Sequence, residues 1–582
     1  MRKKSGLQPS KVDSSHQQIS EVSKLPNPAS RNVEFLFWLL AVCVVGIIFL
    51  IIKMYNIHPY IGDEGIYISQ GKLVANGLVP YKDFSLAHPP VQTLFIAFVY
   101  QLFGYDLFVF RMIPALWSLL GGVLIAVLVR KELGIWASIF AMSFYILAYE
   151  PLRASIHFTG VNMTIALLMV AFLTQRNKQW ISCAVFCVLA VFTRLYALPA
   201  VLALLIFTCW ENKENGIKLF KYGAGMGFLT FVAIGFWTGF SALINNVFLF
   251  QSNKTSMQED QVDFMRDAVL FHNSIPFALF LIGTITWLIY YFKNKSNNDQ
   301  LARNKKVKVG EKLNLSLVGF SIFTVFFILM ILLNMSRVWM YYYVLAFPFA
   351  AITSGWMVSQ WIDFLKGKIV KNKLDHHLNN LGATWASASI FLFVIFYFAS
   401  YKLEHRLDYY KEAMRNPAKK TARYTWVDGR VPEFINQIMK SVFWEDVRVV
   451  GDKYSSVTYY LWHSSRVFDI ADEMVNEVAK RCTPADSIFG DSGTVPLLSL
   501  MSNRGIAGNF IDTNLEQFRS GNIDAKVLAN QINKPTTRLI ILRDKFGVAT
   551  IPEIQRLVQM NYKEVKALRS NTGFTLRVFE RI

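Results

Sequence analysis

Cysteine and acid are scarce in this chain. Five cysteines stand among 582 residues, and Cys43, Cys183, Cys187 and Cys209 lie inside apolar runs, where a thiol serves as a small hydrophobe. Only Cys482 falls in polar sequence, so a disulfide framework and a zinc-type Cys/His set are both excluded. Charged residues make up only 17%, too few for a soluble globule when 53% of the residues are hydrophobic and the mean hydropathy is +0.32. The acids are outnumbered, giving a net charge of +20, yet the basic residues sit in short connectors between apolar runs rather than along a stripe. That distribution is a topology signal and excludes nucleic-acid binding. The N-terminal tail lacks the short apolar stretch and small-residue cleavage site of a signal peptide, so residues 1–32 are expected to form a cytoplasmic tail.

What the chain does have is long apolar runs. A hydrocarbon core of about 30 Å needs about 20 apolar residues per helix. Val33 to Ile52, Phe108 to Val129, Tyr222 to Phe240 and Leu313 to Leu333 come nearest to that length. Weaker runs complete about eleven expected transmembrane helices, at 33–53, 108–129, 135–150, 162–175, 180–193, 196–210, 222–241, 275–292, 313–333, 339–361 and 384–402. The register is checked by the connectors. Arg130-Lys131, Arg176 with Lys178, Lys213 to Lys221, Lys293 to Lys312 and Lys366 to Lys373 all fall on the same, cytoplasmic side. Val91 to Phe103 is too short to span and follows His88-Pro89-Pro90, which suits an interfacial helix started by proline.

The expected division is thus a membrane domain over 33–402, with an outer loop at 54–107, and an extracytoplasmic domain over 403–582. The composition of that last segment turns to ordinary mixed sequence. Val447 to Gly451, Ser487 to Gly490 and Arg538 to Arg543 read as short buried strands, and Asp472 to Lys480 and Ile551 to Met560 as helices, which together predict a soluble α/β layer. Gly490-Asp491-Ser492-Gly493-Thr494 reads as a structural strand-to-helix turn without the spacing of a phosphate loop.

On this topology Asp63, Glu64, Asp83, His88, Arg153, His157, Arg194, Arg337 and the run Tyr341-Tyr342-Tyr343 gather on the outer face. Ionisable residues at span ends mark a site by default. The acids suit a general base or metal ligands, and the arginines suit a phosphate, which their planar fork grips bidentately. Singly, Arg194 also reads as a snorkelling side chain and Arg337 as an anchor in an aromatic belt. Gln258 to Asp263 reads as a solvated face, and His376-His377 lies in a cytoplasmic connector.

The order Gly62-Asp63-Glu64-Gly65-x-Tyr67, Gly77-x-x-Pro80-Tyr81-x-Asp83, His88-Pro89-Pro90, Phe103-Gly104 and Arg111 after a first span resembles the GT-C-fold glycosyltransferases that use polyprenyl-phosphate sugars, the protein O-mannosyltransferases and aminoarabinose transferases among them. The resemblance lies in motif over about residues 55–130 and in topology over the membrane region; the C-terminal domain is matched only in being soluble and extracytoplasmic. It implies that Asp63 is catalytic, with Glu64 completing an Asp-Glu pair. It also implies that Arg194, Arg337, Tyr341, Tyr342 and His88 contact the donor phosphate, with Asp83, Arg153 and His157 as accessory residues. The family often has a further acid where this chain has His157 and Asn162, so no obligatory metal is expected and a divalent ion stays open. Where the aminoarabinose branch has lysine before Pro-Pro, this chain has His88, which argues against that branch.

The expectation is therefore a multi-pass α-helical, GT-C-like membrane protein of the plasma membrane. Its partners would be a polyprenyl-phosphate-linked sugar, a glycan, lipid or protein acceptor, and membrane lipids. It would transfer sugar on the outer face with inversion, Asp63 taking the acceptor proton. The rival readings are a transporter or flippase of a lipid-linked or anionic solute, which calls for charges at span midpoints, and an inactive glycan-binding scaffold of the same fold.

Overall fold

The computed structural model describes residues 28–55, 59–155, 157–252, 273–302, 314–335, 340–369, 470–570 and 574–582, with a few single residues between them. The chain enters through α1 (Pro28–Tyr55) and continues into α2 (Asp63–Ala75), α3 (Val91–Phe103) and α4 (Leu107–Leu133). The bundle is extended by α5 (Ile135–Ile146), α6 (Tyr149–Ala154), α7 (Val161–Arg176), α8 (Trp180–Thr193), α9 (Leu198–Glu211) and α10 (Lys213–Thr238). The helices α11 (Phe240–Ile244), α12 (Ser274–Ala302), α13 (Asn314–Leu333) and α14 (Phe347–Ile369) follow, with a 3-10 segment at Met340–Ala346.

Among the described residues five helices are long and apolar enough to cross a membrane: Asn32–Met54, Leu107–Leu133, Lys213–Thr238, Ile275–Phe292 and Tyr342–Asp363. The expected spans at 135–150, 162–175, 180–193 and 196–210 are shorter, with α5 12 residues long, α7 16, and α8 and α9 14 each. A straight crossing takes about 20 residues. The expected spans at 384–402 and the strand at Val447 to Gly451 lie outside the described residues.

Ion pairs fix which helix ends share a face. Arg176 at the end of α7 pairs with Glu132 at the end of α4 (2.7 Å) and with Glu211 at the end of α9 (3.0 Å). At the other end, Arg111 in the first turns of α4 meets Glu64 in the first turn of α2. Arg194, at the turn between α8 and α9, donates to the carbonyl of Thr159 just before α7 (2.7 Å). Successive helices therefore alternate between two faces, and one face collects Glu64, Arg111, Thr159 and Arg194. The opposite face carries the basic connectors Arg130-Lys131 and Arg176 with Lys178, in keeping with the charge pattern.

After the membrane segment come α15 (Ala471–Arg481), β1 (Ser487–Gly490), α16 (Val495–Ser502), β2 (Gly505–Ile506), α17 (Leu515–Arg519), α18 (Ala525–Ile532), β3 (Thr537–Arg543), α19 (Pro552–Asn561), β4 (Tyr562–Arg569) and β5 (Thr575–Arg581). They form one five-stranded sheet of order β2-β1-β3-β5-β4, parallel across β2, β1 and β3 and antiparallel at β5 and β4. This is the α/β layer expected from the strands at 487–490 and 538–543. Its faces alternate with period two. Leu539 and Ile541 join a buried cluster shared with Ile61 and Leu497, while Ile540 and Leu542 pack with Leu528 and Ile554 of the outer helices. One sheet face thus backs directly onto the outer loop of the membrane domain.

Candidate functional site

The outer loop is a small helical layer. Gly62 precedes α2 with φ +143°, a value that favours glycine, and this bend lets Asp63 and Glu64 open the helix. Carboxylates in a first turn face the positive end of the helix dipole. The two acids nevertheless have different surroundings. Glu64 is buried, ion-paired with Arg111, and accepts from the amide of Phe158 (3.4 Å), with His157 Nδ1 3.9 Å away. Asp63 is half-buried and lines two clefts, one on each side of it.

The first cleft encloses about 520 Å³ of atom-free space, part of it open to solvent, and brings Asp63 together with Arg153, His157 and Thr159. His157 stands edge-on to Tyr60 (ring centroids 5.2 Å), and Arg153 lies 3.7 Å from Glu150. Glu150 raises the pKa of Arg153 against the opposing effect of burial, so the guanidinium stays charged.

The second cleft, about 780 Å³ and likewise partly open, brings Asp63 together with Tyr67, Gln70, His88, Tyr196 and Tyr342. Tyr67 donates to or accepts from His88 Nε2 across 3.2 Å, and the guanidinium of the fully buried Arg194 lies 4.5 Å from the Tyr67 ring centroid. Burial, with smaller contributions from Asp63 and Asp512, drives the Tyr67 phenol upward despite the lowering effect of Arg194, so it stays neutral. The rings of Tyr196 and Tyr342 approach to 3.8 Å and form one wall. His88 is held in place because Tyr81 donates to its carbonyl (2.6 Å).

Of the residues singled out in the sequence, the fold brings Asp63, Glu64, His88, Arg153, His157, Arg194 and Tyr342 to this face. Asp83 is exposed and closes a turn, its Oδ2 accepting from the amide of Val79 (2.7 Å). Arg337 and the side chain of Tyr341 lie outside the described residues. Sequence reasoning missed Gln70 and Tyr196, and also Asp512, Asn514, Glu516 and Gln517, which the C-terminal domain contributes to the second cleft. Arg111, quoted as a motif residue, proves to be the buried partner of Glu64.

Residues 87–237 match the family model of dolichyl-phosphate-mannose-protein mannosyltransferase. The crystal structure of ArnT from Cupriavidus metallidurans bound to undecaprenyl phosphate is similar over 93% of this chain and 98% of that one, with 14% identity and a TM-score of 0.52. This chain has a GT-C-like fold. The apo form of the same ArnT is similar over 94% of this chain and 98% of its own length, with 13% identity and a TM-score of 0.51. No curated protein sequence matches this chain. The structural likeness spans the C-terminal sheet as well as the membrane helices, so the sequence motifs of the outer loop belong to a fold shared along nearly the whole chain.

Proposed function

We propose that this protein is a glycosyltransferase that moves a sugar from a polyprenyl-phosphate donor to an acceptor hydroxyl at the extracytoplasmic face of the plasma membrane, with Asp63 as general base. The carrying observation is the position of Asp63, between one cleft lined by Arg153 and His157 and another lined by Tyr67, His88, Tyr196 and Tyr342. A base between two compartments suits a reaction in which acceptor and donor approach from opposite sides.

In this reading the donor occupies the second cleft, where the buried Arg194 supplies positive charge behind Tyr67, and Arg337 is assigned to the same phosphate. The acceptor oxygen attacks the anomeric carbon, its proton passes to the Asp63 carboxylate, and the anomeric carbon–oxygen bond breaks with its electron pair going to the lipid phosphate. One displacement inverts the anomeric centre. Arginine charge near the leaving phosphate lowers the barrier because it is already in place when charge develops. Glu64, engaged with Arg111, acts on the position of the α2 N-terminus rather than on substrate. No obligatory metal is assigned, since the phosphate charge falls to the arginines. Purified protein in liposomes with a panel of polyprenyl-phosphate sugars, assayed for free polyprenyl phosphate, tests the reading. Sugar-dependent release supports it, and absence of both release and donor binding overturns it.

A further inference from the structure

We propose that Asp512, Asn514 and Gln517 of the C-terminal domain, with Gln70 of α2, form the wall that reads the donor sugar and sets which sugars are accepted. This rests on the transferase reading above and assigns substrate recognition to a part of the chain 449 residues beyond Asp63. These side chains line the same cleft as Asp63, Tyr196 and Tyr342.

The loop that carries the wall is tied down on every side. Asp512 Oδ2 accepts from Gln517 Nε2 (2.7 Å), and Gln517 Oε1 accepts from Asn522 Nδ2 (2.6 Å). Asn522 reaches across to the outer loop and donates to Ser85 Oγ (3.2 Å), while the buried Thr513 donates to the carbonyl of Gly490 (2.7 Å). Such a loop is ordered before the ligand arrives, so recognition costs little conformational entropy. Asn514 Oδ1 accepts from the amide of Glu516 (3.3 Å).

An independent observation points to a ligand with hydroxyl groups. Gln70 is 2% exposed and donates through Nε2 to the carbonyl of Ser85 (2.9 Å), but among the described residues its Oε1 accepts no hydrogen bond. A buried amide oxygen without a donor at the edge of a cleft is suited to a hydroxyl delivered by the ligand. Carboxylate and amide oxygens together accept from neighbouring hydroxyls of a pyranose ring, and the mutually tilted rings of Tyr196 and Tyr342 offer an apolar surface for its C–H face. Glu516 pairs with Arg519 (3.1 Å), and Asp512 adds its carboxylate to that of Asp63 in this cleft. The wall therefore suits neutral or amino monosaccharides and rejects uronic acids.

The test uses full-length protein in nanodiscs. Binding of undecaprenyl phosphate alone is compared with that of the same lipid bearing mannose, glucose or glucuronate, for wild type, Asp512→Ala, Asp512→Asn and Gln517→Ala, each first shown to melt like wild type. Bare lipid should bind all four proteins equally. The preferred neutral sugar lipid should lose about tenfold or more in Asp512→Ala and Gln517→Ala, less in Asp512→Asn, and the discrimination against glucuronate should narrow when the Asp512 charge is removed. Equal weakening of bare and sugar-bearing lipid, no weakening at all, or a change in acceptor KM alone would overturn the assignment. If wild type binds bare lipid but gains nothing from any sugar, the wall does not read sugar. Failure of wild type to bind even the bare lipid would instead bring down the transferase reading itself.

Discussion

The amide of Gly62 donates to the carbonyl of Gly493 over 2.9 Å, so the backbone that presents Asp63 is held by the C-terminal domain. The amide of Phe468 reinforces the joint by donating to the carbonyl of Pro59 (3.0 Å), and Ser69 Oγ donates to the carbonyl of Pro496 (3.1 Å). The turn Gly490 to Thr494 thus docks on the outer loop through its Gly493 carbonyl.

That joint depends on close packing. A Cβ added at Gly65 would lie 3.0 Å from the amide nitrogen of Leu497 and 3.2 Å from its Cβ. Gly65→Leu should therefore push α16 away from α2. Unfolding in detergent should begin at a lower temperature than in wild type, and activity should fall at least about tenfold.

Removing one partner of the buried Glu64–Arg111 pair leaves an uncompensated charge, which costs about 3 to 5 kcal/mol. Glu64→Ala should lower the melting temperature in detergent and reduce the amount of folded protein. Glu64→Ala with Arg111→Met should recover part of that loss, since no buried charge then stands alone. Full stability in the single variant would mean that the pair is weaker than its burial implies.

Arg194 is buried beneath Tyr67, where its guanidinium lies over the ring. Arg194→Lys keeps the charge but loses the planar fork and the stacking. Donor binding should weaken about tenfold to a hundredfold, with acceptor KM changed far less. An unaltered donor affinity would reduce Arg194 to a packing element.

Asp491 is buried in the C-terminal domain, and its carboxyl is pushed above the ordinary Asp range, chiefly by burial, despite donors at Gly493 and Thr494. A raised folded-state pKa means that the folded domain binds a proton more tightly than the unfolded chain. This contribution is fully present below the unfolded pKa of about 3.9 and is lost as pH rises through the folded value. Asp491→Asn keeps the acceptor oxygen and should melt higher than wild type at neutral pH, with the gap closing on mild acidification. A gap that widens on acidification would reverse the sign of the assignment.

The apolar runs and basic connectors made the helix order legible because hydrophobic length and charge are local properties of the sequence. The helix at Val91 to Phe103 was legible as well, its apolar run being short and its start marked by Pro89-Pro90. The strands at 487–490 and 538–543 could be read from short apolar runs bounded by turns. The short helices α5, α7, α8 and α9 were harder, because tertiary packing sets how far such a run continues. The site was legible only on the membrane side, where span-end residues such as Arg194 and His157 meet once the topology is known. Asp83 read like a site acid because spacing does not distinguish a turn-closing carboxylate from a working one. Asp512, Asn514 and Gln517 carried no advance mark, since an Asn- and Asp-containing loop is ordinary in sequence and its approach to Asp63 exists only after the sheet docks.

The central claim is tested most directly by release of free polyprenyl phosphate from a sugar donor by wild type and by Asp63→Asn in the same liposomes, with donor binding measured on both. Asp63→Asn keeps shape and removes the base, so binding should persist while release falls at least about a thousandfold. Wild-type release by Asp63→Asn would contradict the account and remove Asp63 from the mechanism.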